Sequence, residues 1–216
     1  MLPVKFQNIE ETIYAGFWRR LGAFLVDALI LSPSIFLIIY INNAGRLNYL
    51  YTLIPSHIFY IFYGVYCVKR WGGTPGKLIC KIKIININGN PVGWKEAILR
   101  YIVDFIFSVI SSIGMIIVIL GMTDYQYTSM TFLERSKWMT NHMPFWYTLN
   151  EYLLQIWMWS EFIVLLLNKR KRALHDFIAG TVVIKKKFEK EAEQFSQADT
   201  NTAPPIKSLF EGLNRF

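Results

Sequence analysis

The chain has 216 residues, of which 53% are hydrophobic and 18% charged, and its formal net charge is +8. Soluble domains average about 25% charged residues, so this composition disfavours an ordinary soluble protein. The basic residues lie between long apolar blocks, which favours a membrane surface over nucleic acid as the partner. Its two cysteines make no disulfide framework, and no His/Cys cluster has metal-ligand spacing, so we expect neither a metal nor a cofactor.

Four segments are long and apolar enough to cross a membrane. A hydrocarbon core of about 30 Å requires roughly 20 mostly apolar residues, and in lipid the helix satisfies its own backbone groups. The sequence therefore predicts an all-α membrane protein with four transmembrane helices. The predicted spans are residues 17–41, 49–68, 98–121 and 146–167.

Lysine and arginine are divided unequally between the two faces of these spans. Of the 23 basic residues, 20 lie before or at the start of the first span, between the second span and the start of the third, or after the fourth. The other three are Arg46, Arg135 and Lys137. Basic loops stay in the cytoplasm, so we expect a multi-pass protein of the cell (inner) membrane with both termini cytoplasmic. Anionic lipids at the cytoplasmic face are the expected partner.

The connections between spans differ in character. Cys80, Ile82 and Ile84 alternate with Lys81 and Lys83, and Asn88-Gly89 is a turn signal, so a small cytoplasmic β-hairpin is predicted between helices 2 and 3. The outer connection, 122–145, either lies on the surface or packs over the helix ends. Residues 1–187 then form the transmembrane domain, and the polar residues 188–216 a disordered cytoplasmic tail that ends in a short amphipathic piece at 206–216.

The glycine-rich segment from Gly72 to Lys77 is similar in sequence to a phosphate-binding loop. That loop requires Ser or Thr directly after the Gly-Lys pair, and here Leu78 follows. We interpret the segment as a tight basic turn at the membrane surface, with no nucleotide bound.

Asp27 is the most informative polar residue. It lies in an apolar run seven positions after Arg20, about 10 Å deeper along a helix and on the same face. A carboxylate there costs on the order of 2.5–3.5 kcal/mol, so something must offset the cost. Either Asp27 binds a proton or cation in the bundle interior, or it is a structural anchor that holds helices together.

Other polar residues inside the spans offer further alternatives. Pro33 either only kinks the first helix, with Ser32 and Ser34 bonding the freed backbone groups, or marks a broken helix at a substrate site. Arg100 and Asp104 are spaced as a local i,i+4 ion pair.

Two further groups lie near the fourth span. Glu161 is two turns from its inner end and could take a proton or meet Lys169. His175 is next to Asp176, but adjacent side chains point in different directions, so this pair is weak evidence for catalysis.

Three stretches together resemble the RDD family of bacterial and archaeal membrane proteins, named for one arginine and two aspartates. Residues 15–27 hold Arg20 and Asp27, which match the arginine and the first aspartate. Residues 73–77, followed by 82–84 and 97–101, make the second stretch, and residues 174–183 hold Asp176, which matches the second aspartate. The resemblance implies transport of unknown ligands, with cation/proton antiport proposed for some members. Of these motif residues, Arg20 begins the first span at the cytoplasmic surface and Asp176 lies just after the fourth. If the inner segment folds back along the membrane, Asp176 can reach Arg20 or another basic side chain, and we expect an Arg20–Asp176 ion pair.

These observations favour a non-enzymatic protein that transports a small cation or proton, with Asp27 as the titrating site and Arg20 tuning it. Four spans are few for a transporter, so a homo-oligomer or a membrane-protein partner is expected. The alternative is a non-catalytic scaffold or assembly factor that binds lipid or a protein through its basic face. An enzyme acting on lipids is a more distant alternative. The candidate site residues are Arg20, Asp27, Arg100, Asp104, Glu161 and Asp176.

Overall fold

The computed structural model describes residues 1–4 and 11–202, most of them helical. The prediction for residues 206–216 lies outside the described part of the chain. The helices are α1 (Phe17–Asn43), α2 (Asn48–Ile61), α3 (Cys67–Trp71), α4 (Pro75–Ile79), α5 (Trp94–Gly121), α6 (Asp124–Ser129), α7 (Phe132–His142), α8 (Phe145–Leu167), α9 (Leu174–Ile178) and α10 (Glu189–Thr202). The strands are β1 (Ile82–Asn86) and β2 (Thr181–Lys185).

Among the described residues, three helical stretches are long and apolar enough to cross a membrane: Phe17–Asn43, Asn48–Ile79 and Trp94–Gly121. Each contains or overlaps a predicted span. Helix α8 coincides with the fourth predicted span, but polar residues such as Asn150 and Glu151 interrupt its apolar sequence, and it is not among the three. The architecture is therefore a mostly helical one with three candidate spans and a two-stranded antiparallel sheet.

Helix α1 continues through Pro33 because neighbouring serines bond the backbone there. Proline has no N–H to donate to the carbonyl of Leu29 four residues earlier. The Ser32 hydroxyl donates to that carbonyl at 2.9 Å, and the Ser34 hydroxyl donates to the carbonyl of Leu31 at 2.7 Å. This confirms that the flanking serines bond the backbone groups around the proline.

The second span contains one π-helical turn, Phe62–Tyr66, between α2 and α3. Turns of this kind change which residues face a neighbouring helix and are frequent at functional sites. Here the turn directs Tyr63 toward α1. Gly72 then ends α3 in the left-handed conformation, with φ of 74°, and its carbonyl accepts the N–H of Ile84 at 2.6 Å.

The sheet corrects the predicted β-hairpin. Strand β1 pairs with β2, from Ile82 opposite Lys185 to Asn86 opposite Thr181. The predicted turn does form, with Gly89 at φ of 96°, but its return side makes only a single bridge, from Pro91 to Ile85. Proline cannot donate to a continuing ladder, whereas all five residues of β2 are buried. The strand partner is therefore remote in sequence.

Segments from both ends of the chain cover this sheet. The N–H of Ala15 donates to the carbonyl of Val183 at 2.9 Å, and Tyr14 bridges Ile184. Helix α10 packs Ala192, which is 1% exposed, into the same apolar cluster as Phe188. The structure thus differs from the expected disorder over 189–202, because good helix formers there place an apolar side on the sheet.

At the opposite end of the bundle, α6 and α7 fill the connection predicted at 122–145. Thr123 and Thr131 cap the two helices. The hydroxyl of Tyr127 donates to the carbonyl of Asn42 at the end of α1, at 2.7 Å, and Arg135 donates to the carbonyl of Tyr127 at 3.0 Å. Of the two alternatives for this segment, the structure shows packing over the helix ends.

Candidate functional site

Asp27 is held by three uncharged donors. Its side chain is buried, with Oδ1 accepting from the hydroxyl of Tyr63 at 2.5 Å and from the N–H of Gly76 at 2.7 Å. Oδ2 accepts from the hydroxyl of Thr74 at 2.5 Å. We call these four residues the Asp27 clamp. The donors offset the cost of removing the carboxylate from water, so the clamp ties α1 to the π-helical turn and to α4.

The Gly-Thr-Pro-Gly-Lys stretch has the shape that the Asp27 clamp requires. Thr74 is extended and precedes α4, and Pro75 occupies the first helical position, where its missing N–H costs nothing. A Cβ atom on Gly76 would lie 2.5 Å from the carbonyl oxygen of Ala23 and 2.6 Å from the carboxyl carbon of Asp27. Only glycine lets α4 lie this close to α1.

Asp176 is held by charged donors. It is fully buried, and Oδ2 accepts from Arg20 Nη1 at 2.7 Å and from the N–H of Ala173 at 3.0 Å. Oδ1 contacts Arg100 Nη1 and the hydroxyl of Thr181. We call these five residues the Asp176 clamp. The expected Arg20–Asp176 ion pair is confirmed, and Arg100 is a second cation on the same carboxylate.

The charges of the Asp176 clamp fix the ionisation of its carboxyl group. Burial alone would raise the pKa of Asp176, but the guanidinium groups of Arg100 and Arg20 hold it well below its usual range. Arg172 adds backbone contacts: its guanidinium donates to the carbonyl of Asp176 at 2.8 Å and to that of Thr181 at 3.1 Å. The clamp therefore joins α1, α5, α9 and β2 through the carboxylate of Asp176.

The predicted local pair of Arg100 with Asp104 is wrong. Arg100 is directed to Asp176, and Asp104 Oδ1 instead accepts the indole N–H of Trp157 at 3.1 Å. The fully buried Asp176 gains more from a cation than Asp104 does, because Asp104 is exposed. Within the described residues, Trp157 is the one hydrogen-bond donor to Asp104.

Glu161 meets His175 rather than Lys169. Its Oε1 accepts the backbone N–H of His175 at 2.8 Å, and its Oε2 contacts the ring Nδ1 of the same residue. The contact crosses the turn between α8 and α9, and no spacing in the sequence indicated it. His175 thus pairs with a carboxylate other than its neighbour Asp176, whose Oδ1 lies 3.8 Å from Nε2.

A cavity of about 440 Å³ lies between α1, α5 and α8. Its lining combines aromatic and aliphatic side chains, such as Phe24 and Met158, with ionisable groups. Asp27 and Asp176 do not line it. Lys77 lines the cavity, although in the sequence it was notable only as part of the segment that is similar to a phosphate-binding loop. The ionisable lining residues are Arg20, Lys77, Arg100, Asp104, Glu161 and His175.

The six predicted site residues therefore divide into two roles. Asp27 and Asp176 are saturated with donors and join segments of the chain, with Arg20 and Arg100 at the boundary between clamp and cavity. Asp104 and Glu161 line the cavity itself. Within the described residues, no group of three or more His, Cys, Asp or Glu side chains is arranged to hold a metal ion.

Comparison with known proteins shows the family to which the chain belongs. The chain is 30% identical over 130 residues to the uncharacterized protein YxaI of Bacillus subtilis (strain 168). The aligned region covers 50% of this chain and 86% of YxaI. It is 26% identical over 171 residues to the uncharacterized protein YckC of the same organism. That alignment covers 78% of this chain and 83% of YckC. No solved structure matches the chain significantly. The RDD family pattern matches residues 14–180, a range that holds the arginine and both aspartates of the two clamps, and the chain therefore belongs to the RDD family.

Proposed function

We propose that this RDD protein is a non-enzymatic membrane transporter of a small cation or proton, with Asp104 as its binding carboxylate. The observation that carries the proposal is the difference between Asp104 and the two clamp aspartates. Asp104 is exposed, lines the 440 Å³ cavity and has one donor, the indole of Trp157. An ionisable group inside a span is expensive, and one that is left open to a cavity is a natural site for an exchangeable positive charge.

This proposal moves the binding site away from Asp27, the residue that the sequence favoured. Asp27 already accepts three hydrogen bonds and has no place on the cavity wall. A cation at Asp27 would have to displace Tyr63 or Thr74, at the cost of the contact that holds α4 to α1. Asp104 could exchange its partner without opening the fold.

Glu161 and His175 supply a second exchangeable group in the same cavity. Their side chains are in direct contact, and imidazole–carboxylate contacts are common proton relays. The cavity is also lined by Lys77, whose ammonium lies 3.4 Å from the hydroxyl of Thr74. This arrangement supports coupled movement of a cation and a proton, because binding at Asp104 would change the field at Glu161.

We include α8 as a fourth span in the proposal. Its 23 residues would extend about 34 Å, enough for a hydrocarbon core of about 30 Å. Its polar residues have partners inside the bundle: Asn150 donates to the carbonyl of Phe107 at 3.2 Å, and Glu151 accepts from Ser111 at 2.7 Å. Most of the side chains it exposes are apolar or aromatic, as a lipid-facing surface requires, although Thr148 and Gln155 are exposed as well.

The division of basic residues supports cytoplasmic termini, with α6 and α7 on the other side of the membrane. Cysteines introduced at the exposed residues Ser129 and Lys190 test this orientation in intact cells, against the background labelling of the native chain. An impermeant thiol reagent should label the Ser129→Cys protein and spare the Lys190→Cys protein. The reverse pattern would invert the topology.

The transport proposal is tested in proteoliposomes that contain a pH-sensitive dye and are exposed to gradients of Na⁺ or K⁺. The native chain should couple cation entry to proton exit. Asp104→Asn should reduce this flux by about tenfold or more, equivalent to losing ~1.4 kcal/mol of interaction with the ion. The amide keeps an oxygen for Trp157, so folding should be preserved.

Glu151→Gln is the matched control, since it neutralises a carboxylate of α8 that does not line the cavity. Its flux should stay within about twofold of native, well below a tenfold effect. Equal flux from the native chain and Asp104→Asn would remove Asp104 from the mechanism. No flux of any cation or proton from folded native protein would overturn transport and favour the scaffold, which the two saturated clamps would serve equally well.

A further inference from the structure

A second cavity, of about 660 Å³, is strongly basic. It lies where α1 begins, beside the end of α4 and the end of the sheet. Among the described residues that line it, five are basic, two are apolar and none is acidic. We call it the basic pocket. Its lining residues are Arg19, Leu78, Ile79, Lys81, Lys185, Lys186 and Lys187.

The end of the sheet sets the positions of the lysines in the basic pocket. Ile82 opposite Lys185 is the terminal pair of the ladder. Beyond it, the N–H of Lys186 donates to the carbonyl of Lys81 at 2.9 Å, so these two residues lie side by side. Lys81 has φ of 54°, a left-handed conformation that is uncommon outside glycine. The backbone therefore bends at the point that brings Lys81 to the pocket.

Two of the five cations share one carboxylate, and among the described residues the other three have none. Lys185 and Lys187 both contact Glu11. Arg19, Lys81 and Lys186 are exposed, and within residues 1–4 and 11–202 they have no ion-pair or side-chain hydrogen-bond partner. Like charges held close together repel one another, so this group is stabilised by an anion.

The basic pocket lies at the rim of an apolar surface. Arg19 is in the first turn of a candidate span and follows Trp18, which is 79% exposed. Ile79, at the other side of the pocket, is 62% exposed. Helix α4 lies along the start of α1, with Cys80 Sγ 3.8 Å from the position of a Cβ on Gly22. The basic pocket thus combines cations with the exposed hydrocarbon of Ile79, next to the start of a candidate span.

We propose that the basic pocket binds the headgroup phosphate of an anionic phospholipid, whose acyl chain lies against Ile79 and Trp18. Arg19 and the two free lysines supply the donors that a phosphate oxygen prefers, and the volume suits a headgroup. A soluble phosphate would use the cations and leave the exposed hydrocarbon uncovered, so the lipid is the better match. The inference does not depend on transport through the other cavity.

The test measures lipid binding to the purified full chain in detergent by native mass spectrometry, with phosphatidylglycerol and phosphatidylcholine as probes. The native chain should prefer phosphatidylglycerol. The triple variant Arg19→Gln, Lys81→Gln, Lys186→Gln should bind phosphatidylglycerol about tenfold or more weakly, since each cation near an anionic lipid contributes substantially. Binding of phosphatidylcholine should change little.

The control triple variant is Arg70→Gln, Lys95→Gln, Lys190→Gln, which removes the same charge from exposed basic residues outside the pocket. It should weaken phosphatidylglycerol binding by less than about twofold. Equal losses in the two triple variants would mean a diffuse electrostatic attraction and no built site. Displacement of the lipid by millimolar inorganic phosphate would assign the pocket to a soluble anion.

Hydrogen exchange on the native chain gives a readout that needs no substitution. In nanodiscs of phosphatidylglycerol, compared with phosphatidylcholine, backbone amides of residues 78–82 and 185–188 should gain protection. Residues 69–71 and 94–96, which carry the control cations Arg70 and Lys95, should not. Equal protection in both lipids at all of these segments would overturn the proposal.

Discussion

The Asp27 clamp and the Asp176 clamp hold the same chemical group in two different ways. Three uncharged donors, two hydroxyls and one backbone N–H, surround the carboxylate of Asp27. Asp176 is surrounded by two guanidinium groups, a hydroxyl and a backbone N–H. Removing a negative charge therefore has different consequences at the two sites, because only the Asp176 clamp leaves buried cations behind.

The two clamps also differ in reach. The Asp27 clamp joins segments that lie between Asp27 and Gly76. The Asp176 clamp joins the start of α1 to a residue 156 positions later and includes Arg100 of α5. The Asp27 clamp has uncharged donors that are near in sequence, and the Asp176 clamp has charged donors that are remote. The following variants test whether this difference determines how much each clamp contributes to the stability of the fold.

Asp176→Asn should have the largest effect. The amide leaves Arg20 and Arg100 buried beside a group without charge, which should lower the free energy of unfolding by about 3–5 kcal/mol. Thermal unfolding of the purified protein in detergent measures the loss. Asp124→Asn is the control, because Asp124 is exposed in its pair with Arg46 and should cost less than about 1 kcal/mol. Similar losses in both variants would remove the distinction between buried and exposed pairs.

Exchanging the charges of Arg20 and Asp176 should not rescue stability. An arginine at position 176 would meet Arg100, which contacts the native carboxylate. The double variant should therefore be no more stable than Asp176→Asn in the same unfolding measurement. Full rescue by the exchange would mean that Arg100 contributes little to the clamp.

Gly76→Ala should have the next largest effect, and it tests the uncharged clamp by crowding it. The added methyl group would lie 2.5 Å from the carbonyl oxygen of Ala23, and a backbone atom cannot yield as a flexible side chain can. We expect a loss of about 1–3 kcal/mol in the free energy of unfolding. Gly121→Ala, with open space around its Cβ position, should be neutral or slightly stabilising.

Asp27→Asn should cost less, about 1 kcal/mol. The amide oxygen can still accept from Tyr63 and Gly76, and its N–H₂ can donate to the hydroxyl of Thr74. Asp27→Leu, which leaves all three donors without an acceptor, should be far more destabilising. Cation-coupled flux of Asp27→Asn should remain near native. Loss of flux in a folded Asp27→Asn protein would return the binding site to Asp27.

Glu11→Gln should have the smallest effect at neutral pH, since this exposed carboxylate is screened by water and salt. Hydrogen bonds from Lys185 and Lys187 lower the pKa of Glu11 from 4.5 to about 2. Its stabilising contribution is therefore complete above pH 4.5 and disappears as the pH falls toward 2. Thermal unfolding of the native chain and the variant should converge over that range. A difference that grows as the pH falls would have the wrong sign for this pair.

The sequence predicted the apolar segments well because hydropathy along the chain determines them directly. It also predicted the partnership of Arg20 with Asp176. The sequence could not predict which carboxylate Arg100 would contact. An i,i+4 neighbour, Asp104, competed with a residue 76 positions away, and burial of Asp176 decided the outcome.

The roles of the two candidate binding aspartates were also beyond the sequence. In the sequence, Asp27 and Asp104 are both carboxylates in apolar helices with an arginine on the same face, Arg20 or Arg100. Asp27 has three donors because a π-helical turn directs Tyr63 toward it and because Gly76 lets the five-residue helix α4 lie close to α1. Neither feature produces a periodic pattern. The pairing of β1 with β2 was hidden for a related reason, since a nearby turn signal suggested a closer partner than the true one.

The distance in sequence between Arg20 and Asp176 has a consequence for how the protein is made. Ribosomes add about 5–20 residues per second, so the 156 residues between them take roughly 8–30 s to synthesise. During that time Arg20 and Arg100 have no counter-charge, β1 has no strand partner, and the start of α1 must remain hydrated. The last third of the nascent chain supplies all the missing contacts together. A chain released early, before Asp176, would carry an open strand edge and two uncompensated arginines, features that membrane quality control can recognise and remove.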